Sequence, residues 1–184
     1  MDIMIKKHYY NWQDVERMCV SIVNQMYADN WKPDYIVGIT RGGNVPATII
    51  SNITGIRCEA LKVSLRDGES GKTGDSMLWM AEDAYGYNDG TKVTAGPLEK
   101  KILIVDDIND TGATFNWIMQ DWKQGCLPDD PKWNNVFGNN VRFATLTDNL
   151  ASDFNSTISY SCHEVNKAEE DVWLVYPWEH VGEY

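Results

Sequence analysis

Asp106 and Asp107 stand at the end of the apolar run Ile102, Leu103, Ile104 and Val105, and Asp110, Thr111, Gly112, Ala113 and Thr114 follow closely. Paired carboxylates accept hydrogen bonds from sugar hydroxyls or hold a hard cation. A glycine lets backbone N–H groups approach an anion, and two threonine hydroxyls add donors, which suits a phosphate. Bare carboxylates beside a phosphate would repel it. The set makes sense if sugar hydroxyls or a shared metal lie between the two. A sugar phosphate with Mg²⁺ meets both demands.

The elements that must position these residues are legible around them. Residues 102–105 read as a buried parallel strand. Phe115, Ile118, Met119 and Trp122 fall at helical spacing. The order is therefore strand, polar loop, helix start. In open α/β sheets ligands bind beyond the carboxyl ends of the strands. A helix start adds unpaired N–H groups and the positive dipole end.

The string from Val105 to Thr114, VDDINDTGAT, resembles the phosphoribosyl-pyrophosphate (PRPP) motif of type I phosphoribosyltransferases. Other α/β folds with strand-end acid pairs, such as receiver domains and metal-dependent phosphatases, lack the D-T-G-x-T loop. The resemblance implies an α/β fold with a mainly parallel sheet flanked by helices, a mobile catalytic loop and a small C-terminal hood. It implies that Asp106 and Asp107 bind the ribose hydroxyls, one of them reaching Mg²⁺ directly or through water. Asp110, Thr111, Gly112, Ala113 and Thr114 would hold the 5′-phosphate, and Asp110 would also take or share a proton of the base.

Earlier in the chain, residues 35–39 read as a strand followed by Thr40, Arg41, Gly42, Gly43 and Asn44, with Pro46 near the start of the next helix and Gly55 at its end. Two glycines and a permanent cation are common in structural loops. Beside the main motif they resemble the family's pyrophosphate loop, so Arg41, Gly42 and Gly43 are expected to hold the leaving pyrophosphate. Before this unit, Asn11 can cap a helix to about Ala28, with Val15, Met18, Cys19, Ile22, Val23 and Met26 on one face.

Residues 56–64 read as a second strand. Residues 66–99 are rich in Gly, Asp, Ser and Thr without a sustained period, as expected of a lid or binding loop. The family carries its mobile catalytic loop here. Relatives usually open it with Ser-Tyr, and this chain has Ser64 and Leu65. Arg66, Lys72 and Lys92 are the loop cations that could reach pyrophosphate. Asp89 and Gly90 suggest a hairpin turn. Gly71, Lys72 and Thr73 lack the spacing and the preceding strand of a P-loop.

Residues 126–140 read as a surface loop pinned by Trp133 and Phe137, residues 141–146 as the next strand, and residues 157–162 as a further one. Residues 167–171 read as a charged turn. The tail from Val172 to Glu179, VWLVYPWE, resembles that of xanthine–guanine-type purine phosphoribosyltransferases. There a Trp stacks on the base and the adjacent backbone reads the ring, which points to Trp173 and Leu174; a core role is the alternative for Trp173. The 6-oxopurine enzymes also place a Lys shortly after the strand that ends here at Leu146. Asn149 stands at that position, and an amide can donate to an oxygen or accept from an amine.

The whole chain bounds the reading. Its 184 residues suffice for one domain, 1–184, with residues 66–99 as the catalytic loop and 147–184 as hood and tail. A net charge of −11 argues against a nucleic-acid partner. Four scattered cysteines and three isolated histidines show no zinc spacing. No signal peptide or membrane span is evident, and the scattered cysteines read as reduced thiols, so a cytoplasmic protein is expected. The resulting expectation is Mg²⁺-dependent phosphoribosyl transfer from PRPP to a purine, in a homodimer or homotetramer. The alternative is a PRPP-binding regulatory or partner protein with little catalysis. Transfer to a pyrimidine or orotate fits the Trp173 tail less well.

Overall fold

A computed structural model describes residues 5–63, 65, 77–91, 93 and 95–179. Arg66, Lys72 and Lys92, together with Ser64, Gly71 and Thr73, lie outside these residues.

Strand β1 (Lys6–Tyr9) leads into helix α1 (Trp12–Ala28). Asn11 caps that helix with its side chain on the Asp14 N–H, and Asp14 returns the bond to the Asn11 N–H. This reciprocal box satisfies two otherwise orphaned donors. Strand β2 (Tyr35–Thr40) runs to helix α2 (Asn44–Thr54), which Gly55 ends in a left-handed conformation at φ 73°. Strand β3 (Cys58–Lys62), helix α3 (Leu78–Tyr85), strand β4 (Ile102–Asn109) and helix α4 (Ala113–Gly125) follow. A 3₁₀ turn (Pro131–Asn135), strand β5 (Val141–Asn149), strand β6 (Ile158–Val165) and strand β7 (Val172–Val175) complete the order.

Five strands form one parallel sheet in the order β3-β2-β4-β5-β6. Alternate strand residues face opposite sides, as the two-residue period requires. Ile36, Leu103, Val105, Ala144 and Leu146 pack with α1 and α2. Tyr35, Val37, Ile102, Ile104 and Phe143 pack with α3 and α4. Both faces are therefore covered, which explains why the central strands read as unbroken apolar runs.

The chain steps outward from β2 to β3 and then back across to β4. The direction of winding thus reverses between neighbours β2 and β4. That reversal opens a crevice at the carboxyl ends of these two strands, where this fold class binds ligands. The loop leaving β2 carries Arg41 to Gly43, and the loop leaving β4 carries Asp110 to Gly112, with Ala113 and Thr114 opening α4.

Two expectations change. The stretch 66–99, read as one loop, contains α3, and Met80, Ala81, Ala84 and Tyr85 of that helix are buried. Tyr85 ends the helix rather than entering a hairpin, and Gly86 turns the chain at φ 77°. At the expected hairpin tip, Asn88 and Asp89 accept from the N–H groups of Gly90 and Thr91, closing local turns. The segment 147–184 is also not one unit. It completes β5 and holds β6 of the main sheet, whereas β7 pairs in parallel with β1 in a separate two-stranded sheet.

Met80→Ala tests whether α3 belongs to the core. Removing a fully buried Met should cost about 2–5 kcal/mol of stability, read as a lower urea midpoint. An unchanged midpoint would return the segment to a loop.

Candidate active site at the β2–β4 crevice

Asp106 and Asp107 lie within β4, each partly buried. The Asp107 N–H donates to Asp106 Oδ1 at 2.9 Å, and the Ile108 N–H donates to Asp107 Oδ1 at 2.8 Å. Burial, and then the neighbouring Asp107 charge, push the Asp106 carboxyl well above the usual carboxylate range. Burial likewise raises Asp107.

The β2 loop closes against this pair. A Cβ on Gly42 would overlap Asp107 Oδ2, and one on Gly43 would overlap the Val105 carbonyl oxygen. Only glycine permits this approach. The loop is braced by the Gly43 N–H on the Ile39 carbonyl at 2.8 Å and by Asn44 Nδ2 on Thr40 Oγ1 at 2.9 Å. The Thr40–Arg41 peptide is cis, and Arg41 is exposed.

On the other side, Gly112 adopts φ 85°, and a Cβ there would lie 2.5 Å from the Phe154 nitrogen. Gly112 offers α4 no side-chain cap. Thr111 is exposed, with its Oγ1 accepting from the Ala113 N–H at 3.3 Å, and its carbonyl accepts from the Asp153 N–H at 3.0 Å. Ala113 begins the helix and Thr114 lies in its first turn. The five-residue loop is thus a turn leading into a helix N-terminus, a geometry that receives phosphate oxygens.

The acid pair fits a divalent cation by its donor chemistry. Burial makes both carboxyls hold on to protons, and a hard cation set against them would favour the charged form instead. No group of three or more metal-ligating side chains occurs among the described residues. Mg²⁺ takes one or two carboxylates and completes its shell with water and substrate oxygens, so the two carboxylates present are a donor set of that size.

Of the residues expected to meet a base, Trp173 is 56% exposed on β7. Leu174 is buried beside it. Asn149 departs from the base-reading role. It is 6% exposed, its Nδ2 donates to the Asp110 carbonyl at 2.8 Å, and its Oδ1 accepts from the N–H groups of Ala151 and Lys167 at 3.2 and 3.0 Å. An amide engaged with three backbone groups serves the scaffold.

Two residues escaped the sequence reading. Tyr176 donates its hydroxyl to the Asp107 carbonyl at 3.0 Å, so the tail is tied directly to the acid pair. Burial holds that phenol well above its ordinary range and keeps it a donor. Lys167 places Nζ 2.9 Å from Asp110 Oδ1. The tail motif drew attention to tryptophans rather than to Tyr176, and Lys167 looked like part of a solvated turn.

The raised acid pair has a pH signature. The folded state binds a proton to Asp106 more tightly than the unfolded chain does. Stability is therefore lost as pH rises from about 3.8, the ordinary carboxyl value, through the raised one. Asp106→Asn should raise the melting temperature at neutral pH without added metal, and the gain should fade toward pH 4. Thermal melts across that range check it.

The comparisons agree with this geometry. The phosphoribosyl transferase domain model matches residues 5–177. The chain is 22% identical to xanthine phosphoribosyltransferase 1 of Saccharomyces cerevisiae, covering 95% of this chain and 90% of the relative. It is 23% identical to the hypoxanthine-guanine phosphoribosyltransferase of Schizosaccharomyces pombe, covering 93% and 88%. The fold matches a crystal structure of a purine phosphoribosyltransferase from Pyrococcus horikoshii with a TM-score of 0.61 at 22% identity, over 96% of this chain and 95% of the other. With the domain model spanning nearly its whole length, and the strand order and loop placement that such a domain requires, the chain belongs to the phosphoribosyltransferase family.

Proposed function

We propose that the protein transfers the 5-phosphoribosyl group of PRPP to a purine base of the guanine, xanthine or hypoxanthine type, releasing pyrophosphate, as in nucleotide salvage. The observation that carries this reading is the contact of Gly42 with the Asp107 carboxylate. It sets a glycine-rich loop, an acid pair and a phosphate-type helix start around one crevice. The names of the relatives in Saccharomyces cerevisiae and Schizosaccharomyces pombe support a purine as acceptor.

In this reading a base nitrogen bonds to C1 of the ribose, and the C1–O bond to pyrophosphate breaks with its electron pair leaving on pyrophosphate. The backbone of Thr111, Gly112, Ala113 and Thr114 fixes the 5′-phosphate, with Asp110 opening that loop. Asp106 and Asp107 accept from the ribose hydroxyls and orient the sugar. Asp110, whose side chain is 47% exposed, accepts the proton that the base gives up. The backbone of Gly42 and Gly43 and the Arg41 guanidinium receive the pyrophosphate. Mg²⁺ held at Asp106 and Asp107 would neutralise the phosphate charge that grows as the bond breaks. Trp173 supplies a flat face for the purine.

Pyrophosphate release from PRPP and Mg²⁺ against guanine, xanthine, hypoxanthine, adenine, uracil and orotate tests the reading. A base-dependent signal with an oxopurine is expected. Asp110→Asn should lower it by about 10²–10⁴-fold, the usual size of a general-base contribution. PRPP binding by calorimetry with no release for any base would replace the enzyme with a PRPP-binding regulator.

A further inference from the structure

A line of polar side chains runs from the acid pair to an open cavity between β1, α1 and β6. The Asp107 carbonyl meets the Tyr176 hydroxyl at 3.0 Å, and that hydroxyl meets Thr147 Oγ1 at 3.0 Å. Thr147 Oγ1 meets the Tyr10 hydroxyl at 3.0 Å, and the Tyr10 hydroxyl contacts His163 Nδ1. Tyr10, Thr147 and Tyr176 are all buried. Their surroundings hold them in place. The two phenol rings stack at 5.0 Å, the Tyr10 N–H donates to the Val175 carbonyl at 2.9 Å, and the Tyr176 N–H donates to Glu179 Oε2 at 3.1 Å. The His163 ring ends the line in a cavity of about 390 Å³, where His8, Asp14, Arg17 and Cys162 also stand.

The direction of this line is forced. Four contacts need four protons. Each hydroxyl brings one, whereas a carbonyl oxygen brings none and can only accept. The Tyr176 proton therefore goes to Asp107, so Thr147 donates to Tyr176 and Tyr10 donates to Thr147. The Tyr10 oxygen is left to accept, and His163 must supply the fourth proton from Nδ1. Burial, and then the His8 charge, hold that imidazole below its ordinary range, so at neutral pH it is uncharged and its Nε2 is bare. The reverse tautomer would leave one of the four contacts without a proton, which is costly for buried polar groups. Bonds aligned head to tail also polarise one another, so the first donor is felt at the last acceptor.

We propose that His163 is a positioning residue for the acid pair: its Nδ1–H heads a one-way line of hydrogen bonds through Tyr10, Thr147 and Tyr176 that holds the Asp107 backbone, and with it the carboxyls, in the form that receives the sugar phosphate. The effect on substrate rests on the phosphoribosyl-transfer reading above; the direction of the line does not.

Nitrogen-15 NMR of the full chain with labelled histidines tests the direction. His163, identified by the signal lost in His163→Asn, should show a protonated Nδ1 and a bare Nε2 at neutral pH. A bare Nδ1, or an average of the two tautomers, overturns the proposal. Calorimetry of PRPP binding with Mg²⁺ tests the consequence, in His163→Asn and His163→Asp. These two side chains share one shape, but only Asn offers an N–H at the place of Nδ1. PRPP should bind the Asp variant about 3- to 10-fold more weakly than the Asn variant, the scale of one hydrogen bond. That difference should vanish when Tyr176→Phe cuts the line, whereas a through-space charge effect would persist. Equal affinities of the Asn and Asp variants, or a difference that survives Tyr176→Phe, overturn the positioning role and leave the transferase reading standing. A wild type that binds no PRPP overturns the transferase reading and the positioning role with it, while the NMR result still decides the direction.

Discussion

The carboxylate of Asp107 rests against Gly42, and no side chain can come between them. That contact depends on β2 and β4 being hydrogen-bonded neighbours although β3 intervenes in the sequence. It brings the end of one parallel strand within touching distance of the loop leaving the next. It also gives the crevice its electrostatic character. Burial raises the proton affinity of both acids, and the Asp107 charge raises that of Asp106 further, so the free site is electrostatically frustrated. A hard cation or hydroxyl donors set against the two carboxyls would relieve that frustration.

Much of this was legible in the residue order because it is local. The acid pair, the D-T-G-A-T loop and the helix after it lie within one stretch, where strand, turn and helix signals do not depend on remote partners. The Asn11 cap and the helix through Ala28 were legible for the same reason. Helix α3 was hidden because Met77, Leu78, Trp79 and Met80 are consecutively apolar and mask a helical period in so short an element. Strand β1 gave no sign either, since all four of its residues are exposed and show no alternation. Its existence depends on β7, near the other end of the chain.

The region beyond the ends of β5 and β6 shows the same limit. Asn149 looked like a substitution inside a motif, and its neighbours in sequence do not reveal its work. Its partners are Asp110 and Lys167, brought in by the two strands that flank or follow β5. Tyr176 likewise joins the tail to Asp107 and to Thr147 Oγ1, at 3.0 Å in each case. Tyr10 meets the same threonine at 3.0 Å and also contacts His163 Nδ1. The acid pair is thus backed by a polar network drawn from the residue after β1, from β5 and β6 and from the tail. Every one of these connections is long-range.

The pairing of β1 with β7 has a consequence for the order in which parts of the molecule are lost and gained. Lys6 pairs with Val172, so almost the whole domain must be closed as a loop before this ladder can form. Each strand of the pair has a single partner, whereas β2, β4 and β5 have two each. The small sheet that presents Trp173 is therefore the late-forming and early-opening unit in the sense of native-state hydrogen exchange. A molecule in that partly open condition keeps the β2–β4 crevice assembled while the strand that carries Trp173 is undocked, so the acid pair and the exposed indole reside in two cooperative units of unequal persistence.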